Sequence, residues 1–563
     1  MNGIPAMCRV LPILASVSFS LASLGQNPAS PASHPAEKQP APCTVSGQVV
    51  TATDGLPLKS ARVGLAEEAG PHSHVFAAYT DSDGRFAIEK VSPGRYQFSV
   101  SHAGYISQQF RSKRPGEPGA VLSLSPGQEV TDVLFRLIRA AVITGRIVDA
   151  NGEPMTGVTV TVLRKPNADE REEFGPGANT VQVVDSAESV TDDRGEYRVF
   201  GLVPGDYYIK ARESGDSPVR QRLTDAVDTR VLEALGSPHA SMFYPGVLRL
   251  EQAEPISLRA GEEMRADFSM RHVKTQEVSG KVIAAGGGPA TDARVMVLDP
   301  DNPDFNDLNV SSDAKGEFTL QGVPPGSYLI RAEQFDQEKH YQAGQKLVVG
   351  DEKVESVTLA LGRGSIIKGQ LRSLGGRSKL DNVLVELEST EDSPAESLDW
   401  AKIKQDGAFQ FLDVADGSYA LNLVGLENTW YVKSARLGAD DVLQKGLQVE
   451  KESPPGQLEV TISSVGAQLE GVVTDQDKPV AAAQVRARPD PETAFNRMRS
   501  KTTITDQNGH FILTSLAAGK YRVIAKLPAA SADIPSVTSE PTAVTLGEGE
   551  HQQIGIVFAT PRN

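Results

Sequence analysis

The chain is poor in the residues that build covalent or metal-held frameworks. Of 563 residues two are cysteines, Cys8 and Cys43, and nine are histidines. Cys8 lies in "MNGIPAMCRVLPILASVSFSLASLGQ", where Arg9 precedes an apolar stretch from Val10 to Leu24 that closes on small residues around Ser23 and Gly25. This is the pattern of a secretory signal peptide, too short for a stop-transfer span. Cleavage near Gly25–Gln26 removes Cys8 and leaves Cys43 without a partner, so no internal disulfide is expected and apolar cores must hold the mature chain. Cys8 precedes the apolar stretch instead of ending it, which argues against a lipid-anchored cysteine. No later segment reaches the roughly 18 consecutive apolar residues of a membrane helix. The mature chain is therefore expected in an extracytoplasmic setting, secreted, periplasmic or at the cell surface, without a transmembrane segment.

Positive charge is also scarce. Acidic residues number 72 against 56 basic ones, a formal net charge of -16, and no Lys/Arg run concentrates charge on one face. That excludes nucleic acid as a partner. None of the histidines stands in H-x-x-E or H-E-x-x-H, the spacings that put metal ligands on one element. His72 and His74 would form half a metal site from a strand, but "EEAGPHSHVF" is polar and offers no third ligand, so a solvated loop is expected. The acidic turns "DSDG" and "DDRG" lack the further oxygen ligands and the closing Glu of a calcium loop. No G-x-S-x-G elbow, P-loop or dinucleotide fingerprint appears in a strand-to-helix context. No catalytic residue, metal or cofactor is expected, and the chain reads as a non-enzyme.

What is plentiful is Gly (51) and Pro (36), and their placement repeats. "TDSDGRFAIEKVSPGRYQF" begins at Thr80, "TDDRGEYRVFGLVPGDYYI" at Thr191, "SDAKGEFTLQGVPPGSYLI" at Ser312, "KQDGAFQFLDVADGSYALNL" at Lys404 and "TDQNGHFILTSLAAGKYRV" at Thr505. A Gly (84, 195, 316, 407, 509) precedes a Tyr (96, 207, 328, 419, 521) by one constant interval in all five. Fixed spacing means fixed register, since a slip of one residue turns an apolar strand face to solvent. Ahead of each copy stands a Gly-x-apolar strand at Gly47, Gly145, Gly280, Gly369 or Gly471, then a polar turn, in most copies with Pro, and an alternating strand such as Val295/Val297. A further strand closes most copies. About seven strands per copy imply an all-β two-sheet sandwich of roughly a hundred residues, repeated in tandem.

The boundaries follow from the repeat: a signal peptide over 1–25, a Pro/Ala/Ser tether over 26–42 that cannot bury enough apolar surface to order itself, repeat 1 over 43–138, repeat 2 with insertions over 139–273, repeat 3 over 274–362, a divergent repeat 4 over 363–463 and repeat 5 over 464–563. One helix is expected, in the insertion from Arg220 to Gly236, where Leu223, Val227, Val231, Leu232 and Leu235 share a side. Lys165 to Thr180 reads as an exposed loop. Short linkers such as "RLIRAAV" predict a semi-extended rod.

The combination of Gly-x-Val, the Pro-containing turn, T-D-x-x-G-x-[FY] and P-G-x-Y resembles the carboxypeptidase regulatory-like domain. That resemblance implies a transthyretin-like, carbohydrate-binding-like sandwich in secreted bacterial multi-repeat proteins, without peptidase activity. Copy four departs from the pattern, with Lys404 in place of the turn Asp and Ala415-Asp416-Gly417 in place of Pro-x-Gly. The pattern is also similar to the B-repeat domains of cell-surface adhesins. In those, the resemblance implies a Lys–Asn isopeptide bond served by a buried Glu four residues after the Tyr. Here those positions hold Val100, Ala211, Ala332, Leu423 and Ala525, none able to transfer a proton, so no self-made cross-link is expected.

Function is legible only as a class: extracellular binding or scaffolding through an extracellular protein partner, with polysaccharide recognition as an accessory carbohydrate-binding module as the alternative. Phe243, Tyr244, Trp400, Trp430 and Tyr431 lie outside the repeated core positions and form the candidate binding surface, because sugars stack on flat rings and partners bury them. The competing reading packs them into sandwich ends and seams.

Overall fold

The computed structural model describes residues 40–68, 74–166, 186–213, 241–271, 274–298, 308–336, 339–362, 364–376, 380, 383–390, 398–414, 416–450, 456–528 and 536–558. The signal peptide, most of the tether, His72, nearly all of the 165–180 loop and the helical pattern of 220–236 lie outside these residues.

The first sandwich shows how the repeat builds a fold. Its strands are β1 (Cys43–Thr51), β2 (Arg62–Glu67), β3 (Val75–Tyr79), β4 (Arg85–Val91), β5 (Gly94–Ser101), β6 (Gln108–Gln109), β7 (Val121–Leu124) and β8 (Glu129–Leu137). One sheet has the order β4-β1-β8, with β1 antiparallel to β4 and parallel to β8. The other has the order β3-β2-β5, with β6 and β7 both pairing the far edge of β5. Alternation along β4 and β5 sends Phe86, Ile88, Tyr96, Phe98 and Val100 inward, where they meet Val45, Val63, Leu65 and Phe135. The Phe98 and Phe135 rings meet edge to face at 5.0 Å, the favoured aromatic geometry. Cys43 is a free, buried thiol whose Sγ donates to the Ser125 carbonyl at 3.0 Å.

The same plan recurs. First strands Ala141–Val148, Gln276–Ile283, Ser365–Leu374 and Ala467–Asp475 each pair antiparallel with the strand after the conserved-spacing turn and parallel with a closing strand. In four copies the repeated Gly of the first strand is demanded by the closing segment beside it: a Cβ on Gly47 would lie 2.0 Å from the Val133 oxygen, and one on Gly471 1.9 Å from that of Ile554, whereas one on Gly369 would meet the Phe409 ring at 2.0 Å. Five such sandwiches follow one another, each with its own core. In the fourth, Tyr431–Leu437 joins outside the closing strand Leu458–Ser463, and a single helical turn, Val442–Lys445, is capped by Asp441, whose carboxylate accepts from the Leu443 amide at 3.0 Å.

The turn motif resolves into named bonds. Asp81 Oδ1 accepts from the amides of Asp83 (2.9 Å) and Arg85 (2.8 Å). Asp192, Asp313 and Asp506 do the same two and four residues on. Such a carboxylate satisfies the donors of a turn that the backbone leaves open. Its neighbour ties the turn to the preceding one: Thr80 Oγ1 accepts from the Ala61 amide at 2.8 Å and donates to the Leu58 carbonyl at 2.5 Å, and Thr191, Ser312 and Thr505 repeat both bonds. Lys404 cannot play the Asp role, and in the fourth copy Asp406 Oδ1 accepts from the Ala408 amide at 3.0 Å instead. The Tyr hydroxyls close the second turn: Tyr96, Tyr207, Tyr328 and Tyr521 each donate to the carbonyl four residues earlier, at 2.7–3.0 Å. Of the positions equivalent to the isopeptide Glu, Val100, Ala211, Ala332 and Ala525 are buried in the cores and Leu423 is half-buried against the fourth.

Neighbours in the array touch. Lys433 of the fourth sandwich pairs with Glu548 of the fifth at 2.6 Å, and the missing side chain of Gly446 makes room for the Phe495 ring. The first and fifth sandwiches also touch, through β7 and the turn at Asp506. The short linkers do not predict this contact between the first and last sandwiches. A short linker limits motion at a junction but leaves the angle to the surfaces that meet there.

Candidate functional site

The third sandwich carries an unusually long hairpin. Gly326–Asp336 and Lys339–Val349 pair without interruption from Gly326↔Val349 to Asp336↔Lys339. The paired strands run on beyond the core to Phe335, which is out of step with the inward Tyr328, Ile330 and Ala332 and is 57% exposed. At that end Phe335 stacks on Trp400 of the fourth sandwich, with ring centres 6.3 Å apart and planes inclined by 22°. Trp400 stands on Leu398–Lys402, half-buried.

Sheet register extends the site from Trp400. Glu386 is directly opposite Trp400 on one side and Asn422 on the other. The three share the face turned away from the core, because Val385, Leu387 and Leu421 fill the inner face. Asn422 is buried, its Nδ2 donates to Glu388 Oε2 at 3.3 Å, and its Oδ1 is buried without a partner. Burial holds the Glu386 carboxyl above the usual range, the Glu388 charge adds to this, and a hydrogen bond with Asn422 opposes it. The result is a pair of flat rings beside two carboxylates and an amide, chemistry suited to a ligand with an apolar face and several hydroxyl groups.

The five sequence candidates do not converge. Phe243 is buried with Leu163, Tyr208 and Leu250 on the second sandwich, and Tyr244 meets the Phe268 ring edge to face at 6.0 Å. Trp430 and Tyr431 are each 6% exposed, Trp430 within the fourth core. Trp400 alone joins the shelf. Phe335, Glu386 and Asn422 were not singled out by sequence: Phe335 is out of step with the apolar alternation of its own strand, and the other two become neighbours only through register. Among the described residues no group of three or more His, Cys, Asp or Glu is arranged to hold a metal ion, and no helix is long and apolar enough to cross a membrane.

Five two-sheet sandwiches in tandem, each with its first strand parallel to its closing strand, define a class of all-β array built from transthyretin-like units. The sequence profile of the carboxypeptidase regulatory-like domain matches residues 44–135, 142–271, 277–361 and 468–556, and the chain belongs to that family. The fourth sandwich falls between these matches and is assigned by its topology. No curated protein matches the chain. Solved structures with similarity include a streptococcal ancillary pilin (13% identity, 56% of this chain and 98% of that one, TM-score 0.19). The minor pilin of Streptococcus agalactiae (11%, 39% and 96%, 0.20) and the major pilin subunit of Bacillus cereus (11%, 75% and 99%, 0.14) are also similar.

Proposed function

We propose that the chain is a non-enzymatic binding and scaffolding protein that works outside the cytoplasm. The observation that carries this reading is the array itself: five sandwiches built on one strand plan, with side chains of different sandwiches meeting in composite surfaces, as at Phe335 and Trp400. Scaffolds gain from this arrangement because rigid sheets hold loops and seams in fixed relation. The test is affinity capture from the native extracytoplasmic fraction by the mature chain, with Phe335→Ala/Trp400→Ala as comparison. A partner retained by the wild type and lost by the variant supports the reading; an identical set with both removes the seam from it. N-terminal sequencing of the exported protein should begin near Gln26, and retention of the first 25 residues in the cytoplasm would overturn the localisation.

A second reading, recognition of a polysaccharide, is favoured by the ring pair lying beside Glu386 and Asn422. On an array of immobilised glycans, Trp400→Ala should weaken binding roughly tenfold, the equivalent of ~1.4 kcal/mol of ring contact. Wild-type protein that retains no glycan eliminates this reading.

A further inference from the structure

The turn of the fifth copy is made like the others and used differently. Asp81, Asp192 and Asp313 are exposed, whereas Asp506 is 3% exposed. What covers it is the first sandwich. Asp506 forms a parallel bridge with Val121 of β7, and its Oδ2 accepts from Ser123 Oγ at 2.8 Å. Gln507 then presents its amide to the β7 backbone as another strand would: Oε1 accepts from the Ser123 amide at 2.9 Å and Nε2 donates to the Ser123 carbonyl at 2.8 Å. Arg111 donates to the Gln507 carbonyl at 3.1 Å, and Arg95, paired with Glu68, lies 4.0 Å from Asp506. Behind the polar contact, Ala481 and Ala482 of the fifth sandwich pack onto the first core.

We propose that the outer edge of β7 is a docking site for the Asp506-Gln507 turn of the same chain, and that this contact latches the array closed from first sandwich to last. Three features set it apart from chance proximity. A sheet edge leaves backbone donors and acceptors open, and here one side chain satisfies a donor and an acceptor of one residue together. The Asp carboxylate divides its work, with Oδ1 holding its own turn and Oδ2 holding the neighbour. The corresponding position after the Asp is Ser82, Asp193 or Ala314 in the first three copies, and none of these has the length and paired donor and acceptor of Gln507.

The test uses the full mature chain. Gln507→Ala removes the paired contact without touching the Asp506 bonds that shape the turn, and Ser123→Pro removes an amide that faces outward from the β5–β7 ladder, a place where an edge strand tolerates proline. Asp193→Ala is the control at the equivalent position. Two readouts are needed: the radius of gyration by small-angle scattering in dilute solution, and hydrogen exchange at the Ser123 amide. The expected result is a compact wild type with a protected Ser123 amide, a larger radius for both latch variants, at least about tenfold faster exchange at Ser123 in Gln507→Ala, and no change in Asp193→Ala. Far-UV circular dichroism and unchanged exchange in the other four cores establish that the variants are folded. A wild type as extended as Gln507→Ala, or a Ser123 amide indifferent to the substitution, overturns the proposal. So does protection at Ser123 that appears only as the protein dimerises, which would place the contact between chains.

Discussion

Two turns with the same bonds, at Asp313 in the third sandwich and at Asp506 in the fifth, have different surroundings. In both, Oδ1 accepts from amides two and four residues on, and the preceding hydroxyl bridges to the strand before it. Asp313 faces solvent and Asp506 faces another sandwich. The motif therefore explains how each turn forms and leaves open what the turn contacts. A repeat can hold one local structure for its own stability and use a single copy of it, altered at one position, as a connector.

The comparison breaks first at the Gly that both turns require. Gly316 and Gly509 adopt φ of 74°, where a β-branched residue is strained. Each added Cβ would also approach a strand carbonyl, at 2.5 Å for Gly316 and 2.7 Å for Gly509. Gly316→Val and Gly509→Val should each cost about 1–3 kcal/mol from backbone strain alone, read as a lowered unfolding transition of the sandwich concerned, and only Gly509→Val should also expand the particle. Equal dimensions for the two variants would mean that the turns are equivalent after all.

Removing the carboxylate is the next largest change. Asp313→Ala and Asp506→Ala each lose two turn bonds, about 1–3 kcal/mol in denaturant unfolding. The fifth-sandwich variant should in addition lose protection at Ser123, which Asp313→Ala leaves unchanged. Smaller still, Tyr328→Phe and Tyr521→Phe delete the hydroxyl bond to the carbonyl four residues earlier, worth about 1 kcal/mol. They should behave alike, because both hydroxyls bond within their own sandwich, to Pro324 and Ala517.

The smallest effects are electrostatic and have opposite signs in two copies. Amides of Glu196 and Arg194 hold the Asp192 carboxyl below the ordinary aspartate value. Its contribution is complete above that value and is lost as pH falls through the folded one. Glu386 is held above the ordinary glutamate value by burial, so its contribution is complete below that value and is lost as pH rises through the folded one. Glu386→Gln should flatten the pH dependence of the fourth sandwich in mildly acidic buffer, and Asp192→Asn that of the second in more acidic buffer, as followed by site-resolved exchange. Shifts of the same sign would contradict the hydrogen-bond and burial causes assigned to them.

Much of the fold was legible because the repeat writes its own turns. An Asp-x-x-Gly, a Thr ahead of it and a Tyr after Pro-Gly act through bonds spanning a few residues or to the adjoining strand, so spacing alone predicts strands, register and the sandwich. The fourth copy was legible despite Lys404, since its Gly, Tyr and inward strand residues keep the register even with Asp406 substituting for the usual carboxylate. The binding surface was less legible. Phe243, Trp430 and Tyr431 look exposed from a repeat that does not use them, yet insertions and an added strand bury them.

The sequence by itself determined the local structure: the positive-φ glycines, the turn carboxylates, the alternating apolar faces and hence five sandwiches, because each of these depends on backbone sterics and on partners fixed by spacing. Only the tertiary structure decided that Phe335 meets Trp400, that Glu386 lies between Trp400 and Asn422, and that Gln507 reaches Ser123 across 384 positions of chain. Those contacts depend on strand pairing within a sheet and on the angles at which whole sandwiches meet, and no interval between residues encodes such an angle.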